Sequence, residues 1–126
     1  MKKSTIVYIS ILFALFVTGC KYDFILPEVV PPITTAPTFA AQVAPIFSNG
    51  NKCTACHNTG GTAPDLSTAA KAYAAIVPAL IKATAPAQSL IYTYPLATSS
   101  AHSWKKYTAG EAAIILAWIT DGAKNN

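Results

Sequence analysis

Two cysteines and a histidine fall within five consecutive positions, Cys53, Cys56 and His57, in the run Lys52-Cys53-Thr54-Ala55-Cys56-His57-Asn58. That spacing constrains the chain more than any other feature. Two intervening residues let one tight turn present both sulfurs to the same side, and the histidine follows with no slack. Cys-x-x-Cys-His is the pattern of covalent haem attachment. Each part has a task. The thiols add across the two porphyrin vinyl groups, giving thioethers, and the His57 imidazole swings beneath the ring to bind iron from the proximal side. A chain that uses the motif in this way would enclose a mostly apolar cofactor.

Three other chemistries use similar residues. A thioredoxin-like Cys-x-x-Cys needs a βαβ context, and no strand pattern surrounds this one. A zinc site could draw on Cys53, Cys56, His57 and the second histidine, His102, but adjacent Cys56 and His57 fit poorly into one tetrahedron. A plain Cys53–Cys56 disulfide is the third.

The N-terminus bears on the choice. Lys2 and Lys3 precede an apolar run from Ile6 to Val17, followed by Thr18, Gly19 and Cys20. A short basic patch, a short apolar run and small residues before a break form an export signal. The run is shorter than the about 20 residues a membrane span needs. Val17-Thr18-Gly19-Cys20 reads as a bacterial lipobox, in which Cys20 is lipidated and becomes the new N-terminus. Residues 1–19 are thus expected to be a lipoprotein signal peptide. Covalent haem attachment requires an exported compartment, which the export signal would supply.

Cleavage before Cys20 would leave 107 residues and remove two of nine lysines, taking the formal charge from +4 to +2. There is no arginine, and no lysine cluster alternates with aromatics, so a nucleic-acid surface is not expected. Lys105-Lys106 is the one adjacent basic pair in the processed chain. It reads as a solvated loop or, more sharply, as a weak docking patch for a redox partner. The three cysteines are accounted for, one by lipid and two by the motif.

Residues 20–37 read as the lipidated cysteine and a tether. Pro27, Pro31, Pro32 and Pro37 remove amide donors and disfavour helix. In an extended polyproline-like form these residues reach roughly 55 Å. Residues 38–126 form the domain, small for a self-sufficient core, which a covalent apolar cofactor would enlarge.

The domain reads as helices and loops. Phe39, Val43, Ile46 and Phe47 share one face of a short helix whose regularity Pro45 limits. Gly60-Gly61 marks a turn. Ser67 or Thr68 can cap a helix from Ala69 to Ile76, closed by Pro78. Gln88 to Tyr92 suggests one helical turn before Pro95, and Thr98 to Lys106 a loop. Thr108-Ala109-Gly110-Glu111 is a capping box. It opens a helix whose Ala112, Ile115 and Ile119 share a face with Trp118 alongside. Ile114 and Leu116 make that helix apolar on nearly every side, so it is expected to be largely buried. Gly122 suits the left-handed residue beyond its last turn. No segment alternates with period two, so the class is all-α.

Residues 39–126 resemble a small monohaem c-type cytochrome of the class I kind, especially the compact domains found in bacterial lipoproteins. The resemblance is carried by Val43-Ala44-Pro45-Ile46-Phe47 before Cys53-Thr54-Ala55-Cys56-His57, by Pro64-Asp65-Leu66, and by Ile115-Leu116-Ala117-Trp118-Ile119-Thr120-Asp121-Gly122-Ala123. It implies three to four short helices around one covalent haem c, with the first and last helices packed together. It also implies that the Pro64 carbonyl accepts the Nδ1 hydrogen of His57.

Members of that family usually bind the sixth iron position with methionine. Here Met1 is the only methionine, and it would leave with the signal. His102 lies 45 residues beyond His57 and six before Thr108, in the loop where the family places its ligand. His102 is therefore expected on the distal face. A solvent-facing His102 with an open sixth site, or a lysine such as Lys105, is the alternative. Leu66, Tyr73, Leu90, Tyr92, Tyr94, Leu96 and Trp104 are candidates for the haem pocket, or ordinary core.

The expected function is that of a membrane-anchored, monomeric electron carrier in the bacterial envelope, periplasmic or surface-facing and most naturally at the outer membrane. It would exchange single electrons with redox partner proteins. No acid–base pair or nucleophile suggests an enzyme. A haem module with an open distal site that binds or senses a small ligand is the second reading, and a haem-free envelope lipoprotein the third.

Overall fold

The computed structural model describes residues 29–126. The expected signal peptide, Cys20 and the expected tether up to residue 28 lie outside the described residues. Among those described, the chain is helical and has no strand, and no helix is long and apolar enough to cross a membrane.

The first helical stretch begins at the extended residue Thr38. It winds as a π-helix over Phe39–Val43 and continues directly as α1, Ala44–Ser48. The wide first turn agrees with the sequence, since Pro45 has no amide to give the preceding turn. Phe39, Val43, Ile46 and Phe47 are all buried, as one shared face requires. A 3₁₀ turn, Asn49–Asn51, leads into the cysteine motif.

Helix α2, Ala69–Ile76, is capped by Thr68, whose hydroxyl accepts the Lys71 amide at 3.2 Å. Thr68, not Ser67, is thus the cap. A 3₁₀ turn at Pro86–Gln88 precedes α3, Leu90–Thr93. Both halves of the capping box open α4, Ala109–Thr120: the Thr108 hydroxyl accepts the Glu111 amide, and the Glu111 carboxylate accepts the Thr108 amide at 2.7 Å. Gly122, at φ +94°, follows the end of α4.

The core joins the two ends of the domain. The Phe39 and Trp118 rings lie 5.2 Å apart, and Tyr73 closes edge-on against Phe39 at 5.1 Å. The Tyr73 hydroxyl donates to the Ala123 carbonyl at 3.0 Å, and the Trp118 indole to that of Lys124 at 2.9 Å. Asn126 then reaches back to the first helix. Its side-chain oxygen accepts the Phe39 amide and its main-chain oxygen the Ala40 amide, both at 2.9 Å. Helix-start donors with no partner inside their own helix are satisfied in this way.

Two sequence expectations need amendment. Helix α4 is buried only along Ile115, Trp118 and Ile119, whereas Ile114 and Leu116 are half-exposed. Its outer face forms a groove with Val30, Pro31, Pro32 and Ile33. The end of the tether is also not wholly free, because Pro37 is fully buried against the domain.

Candidate functional site

The motif forms a compact turn after the first helical stretch. The amides of Cys53 and Thr54 both reach back to the Phe47 carbonyl, and those of Cys56 and His57 to the Cys53 carbonyl at 3.1 and 2.9 Å. No disulfide joins Cys53 and Cys56. Cys53 is mostly buried. Burial, more than any neighbouring charge, pushes its thiol above the ordinary value, with Lys52 and Lys105 opposing and Glu111 assisting. Cys56 is exposed and is not on the wall of the cavity that Cys53 lines.

His57 is anchored from three directions. Its amide donates to Cys53, its carbonyl accepts the Leu66 amide at 2.9 Å, and its Nδ1 lies 3.1 Å from the Thr62 carbonyl. The acceptor is thus Thr62, in place of Pro64, which the resemblance implied. The reason is local. Thr62 donates to the Cys56 carbonyl and Gly61 to that of Asn58, folding residues 58–62 back over the histidine. A Cβ at Gly61 would lie 2.5 Å from the Cys56 oxygen, so this close return requires glycine.

Cys53 and His57 line a cavity of ≈ 280 Å³ together with His102. Its walls are mostly apolar, with Phe47, Leu66, Leu80 and Ile91 at the core side and Leu90 and Tyr94 at the exposed side. Pro64 lines it without accepting the His57 hydrogen. Of the pocket candidates named from sequence, Leu66, Leu90 and Tyr94 line it. Tyr73 belongs to the aromatic core, and Tyr92, Leu96 and Trp104 lie off the cavity wall. Phe47, Leu80 and Tyr107 were not singled out for it. Only Phe47 carried a signal, its place on the buried helix face directly before the motif.

The folding brings the two histidines together. The rings of His57 and His102 have centroids 6.1 Å apart and planes inclined by 26°. Two imidazoles bound on opposite sides of one metal ion at the usual nitrogen–metal distance have ring centroids about 6 Å apart. The Nδ1 of His102 is buried without a hydrogen-bond partner. Its Nε2 is not enclosed in that way and makes no hydrogen bond, so it is the nitrogen free to take a ligand. Lys105 also lines the cavity, at φ +51° and with the Trp104 ring 5.3 Å from its Nζ. Its ammonium, however, donates to the Asn51 carbonyl at 2.8 Å.

Tyr107 closes the inner wall. Its hydroxyl donates to the Ile91 carbonyl at 3.0 Å, and its amide to that of Pro95 at 2.8 Å. Burial, aided by Cys53 and Glu111, raises its phenol far above the ordinary tyrosine value. Among the described residues, no three or more of His, Cys, Asp or Glu gather to hold a metal ion by side chains alone. The donors present would fit a metal-bearing group that brings most of its own ligands, with Cys53, His57 and His102 on the cavity wall to hold it.

No protein-family model, no curated protein and no solved structure matches this chain.

Proposed function

We propose that this chain is a single-haem c-type electron carrier of the bacterial envelope, tethered through lipidated Cys20. One observation carries the proposal. Two histidines 45 residues apart face each other across an apolar cavity at a separation that suits two axial ligands, beside a Cys-x-x-Cys-His turn. In this reading the domain is a small cytochrome c-like helical fold.

Cys53 and Cys56 would hold the group by thioethers, and His57 and His102 would supply its axial nitrogens. Haem c, when bound, supplies a one-electron ferric–ferrous couple. The Thr62 carbonyl keeps the His57 proton on Nδ1, which leaves Nε2 to ligate and strengthens it as a donor. The apolar walls exclude water and lower the local dielectric, which sets the potential together with the choice of ligand. Histidine in place of methionine lowers that potential. Redox partner proteins are the reaction partners, and no substrate chemistry is assigned to the protein itself.

The test is direct. The exported, processed protein should carry one haem that acidified acetone fails to extract, with a reduced-minus-oxidised spectrum of the c type. Pigment that leaves with the solvent, or its absence, would overturn the proposal.

A further inference from the structure

The two histidines are held very unequally. His57 has three anchoring hydrogen bonds, including one on its ring. His102 has none: its Nδ1 is buried, and no described residue hydrogen-bonds to it. The difference extends to the backbone. Among the described residues, Ser100, His102, Ser103 and Trp104 make no hydrogen bond, and the Ala101 amide bonds only to the Ser99 hydroxyl. The segment is fastened at its two ends. Lys106 donates to the carbonyls of Ala97 and Ser99, Lys105 to that of Asn51, and Tyr107 to that of Pro95. Between those clamps, residues 100–104 are a short arm with one ring at its middle.

Segments with few hydrogen bonds open at low free-energy cost. A buried polar nitrogen without a partner adds to the drive, since moving it out to water recovers its hydration. We infer that His102 is a displaceable arm, and that the cavity face it covers is a binding site for a small uncharged ligand of carbon monoxide or nitric oxide type. This rests on the haem reading above. Neutrality follows from the walls, because Phe47, Leu66, Leu80 and Ile91 offer nothing to a desolvated anion and the lining ammonium, Lys105, is held by the Asn51 carbonyl. The exchange is a substitution. The dative bond from His102 Nε2 breaks, one from the incoming ligand forms, and His102 leaves neutral, with no net electron transfer. The protein thereby carries electrons with the arm closed and reports or stores a small ligand with it open.

The experiment uses the processed holoprotein, reduced with dithionite and mixed with carbon monoxide in a stopped-flow spectrometer. The wild type should bind it at a rate that levels off as carbon monoxide is raised, the plateau being release of the arm. His102→Ala should remove the plateau. It should also raise apparent affinity about 10- to 1,000-fold, the factor lost when the competent state is only 0.1–10% populated. His102→Met, a ligand without the unpartnered nitrogen, should bind carbon monoxide more slowly than the wild type. A six-coordinate haem c that never takes up carbon monoxide overturns the inference and leaves the electron-carrier reading standing. Binding linear in concentration and identical in wild type and His102→Ala overturns it as well, because the arm then covers nothing. A protein without covalent haem sinks both.

Discussion

Lys52, immediately before the motif, pairs with Glu111 in the first turn of α4, and the Glu111 oxygen that takes the lysine also accepts the Thr108 amide. One carboxylate thus closes a helix cap and fastens the cysteine turn to the C-terminal helix. Both side chains are largely shielded, at 18% and 24% exposure, so the pair is screened less than a surface one. Glu111→Ala should lower stability by about 2 kcal/mol, roughly 10 °C in Tm. Lys52→Met should cost less, because the cap survives. A double-mutant cycle by urea unfolding measures the coupling. A coupling energy indistinguishable from zero would mean that the two residues act separately.

Gly61 controls the support of His57. Gly61→Ala places a methyl 2.5 Å from the Cys56 carbonyl and 2.9 Å from the Asn58 side-chain oxygen. The loop has to move, and Thr62 moves with it. The His57 Nδ1 hydrogen should then lose its partner. The proton resonance of that Nδ1–H should exchange faster in the variant. The reduction potential should rise as the imidazole becomes a weaker donor. An unchanged resonance and potential would show that Thr62 does not set the ring.

Much of this arrangement could be read from sequence, and the part that could not has a common cause. The capping box, the buried face of Phe39, Val43, Ile46 and Phe47, and the end of α2 before Pro78 are local patterns, each decided within a few residues. The choice of His102 followed from counting, since only one other histidine exists. The link from Lys52 to Glu111 spans 59 residues and that from Asn126 to Phe39 spans 87, distances over which sequence spacing carries no geometry. The Pro64 expectation failed for a subtler reason. The resemblance supplied the residue type, but the Gly60-Gly61 turn brings the chain back two residues sooner, so Thr62 meets the ring first.

Asn126 makes a further case for long-range closure. It supplies both oxygens that receive the Phe39 and Ala40 amides, and Phe39 is buried. Asn126→Ala removes the side-chain acceptor and leaves the Phe39 amide unpaired, a loss of about 1–2 kcal/mol. Amide exchange at Phe39 should accelerate while that at Ala40 changes little. Equal acceleration at both would indicate that the whole C-terminus detaches.

Tyr107 gives a pH dependence with a definite sign. Burial raises its phenol above the unfolded value of about 10, so the folded state keeps its proton longer than the unfolded state does. The stability contributed is fully present below that unfolded value. It is lost as pH rises beyond it toward the folded one, because the unfolded chain then releases a proton that the folded chain retains. Tyr107→Phe removes this dependence and the hydrogen bond to Ile91, at about 1 kcal/mol near neutrality. The difference in unfolding free energy between wild type and variant should shrink or reverse between pH 9 and 11, where this titration begins. A difference constant across that range would show that the phenol is not held in its neutral form.

The distal assignment separates two side chains that both line the cavity. The His102 ring, whose nitrogens make no hydrogen bond, has its centroid 6.1 Å from that of His57, whereas the Lys105 ammonium is engaged by the Asn51 carbonyl. In the ferric holoprotein, His102→Ala should convert a low-spin spectrum to a high-spin one, since one strong axial nitrogen is lost. Lys105→Ala should leave the spectrum low-spin while loosening the end clamp of the arm, and so should speed carbon monoxide uptake by a few-fold. The two variants together distinguish ligand from clamp. A high-spin Lys105→Ala beside a low-spin His102→Ala would reverse their roles, with the lysine leaving Asn51 to take the iron.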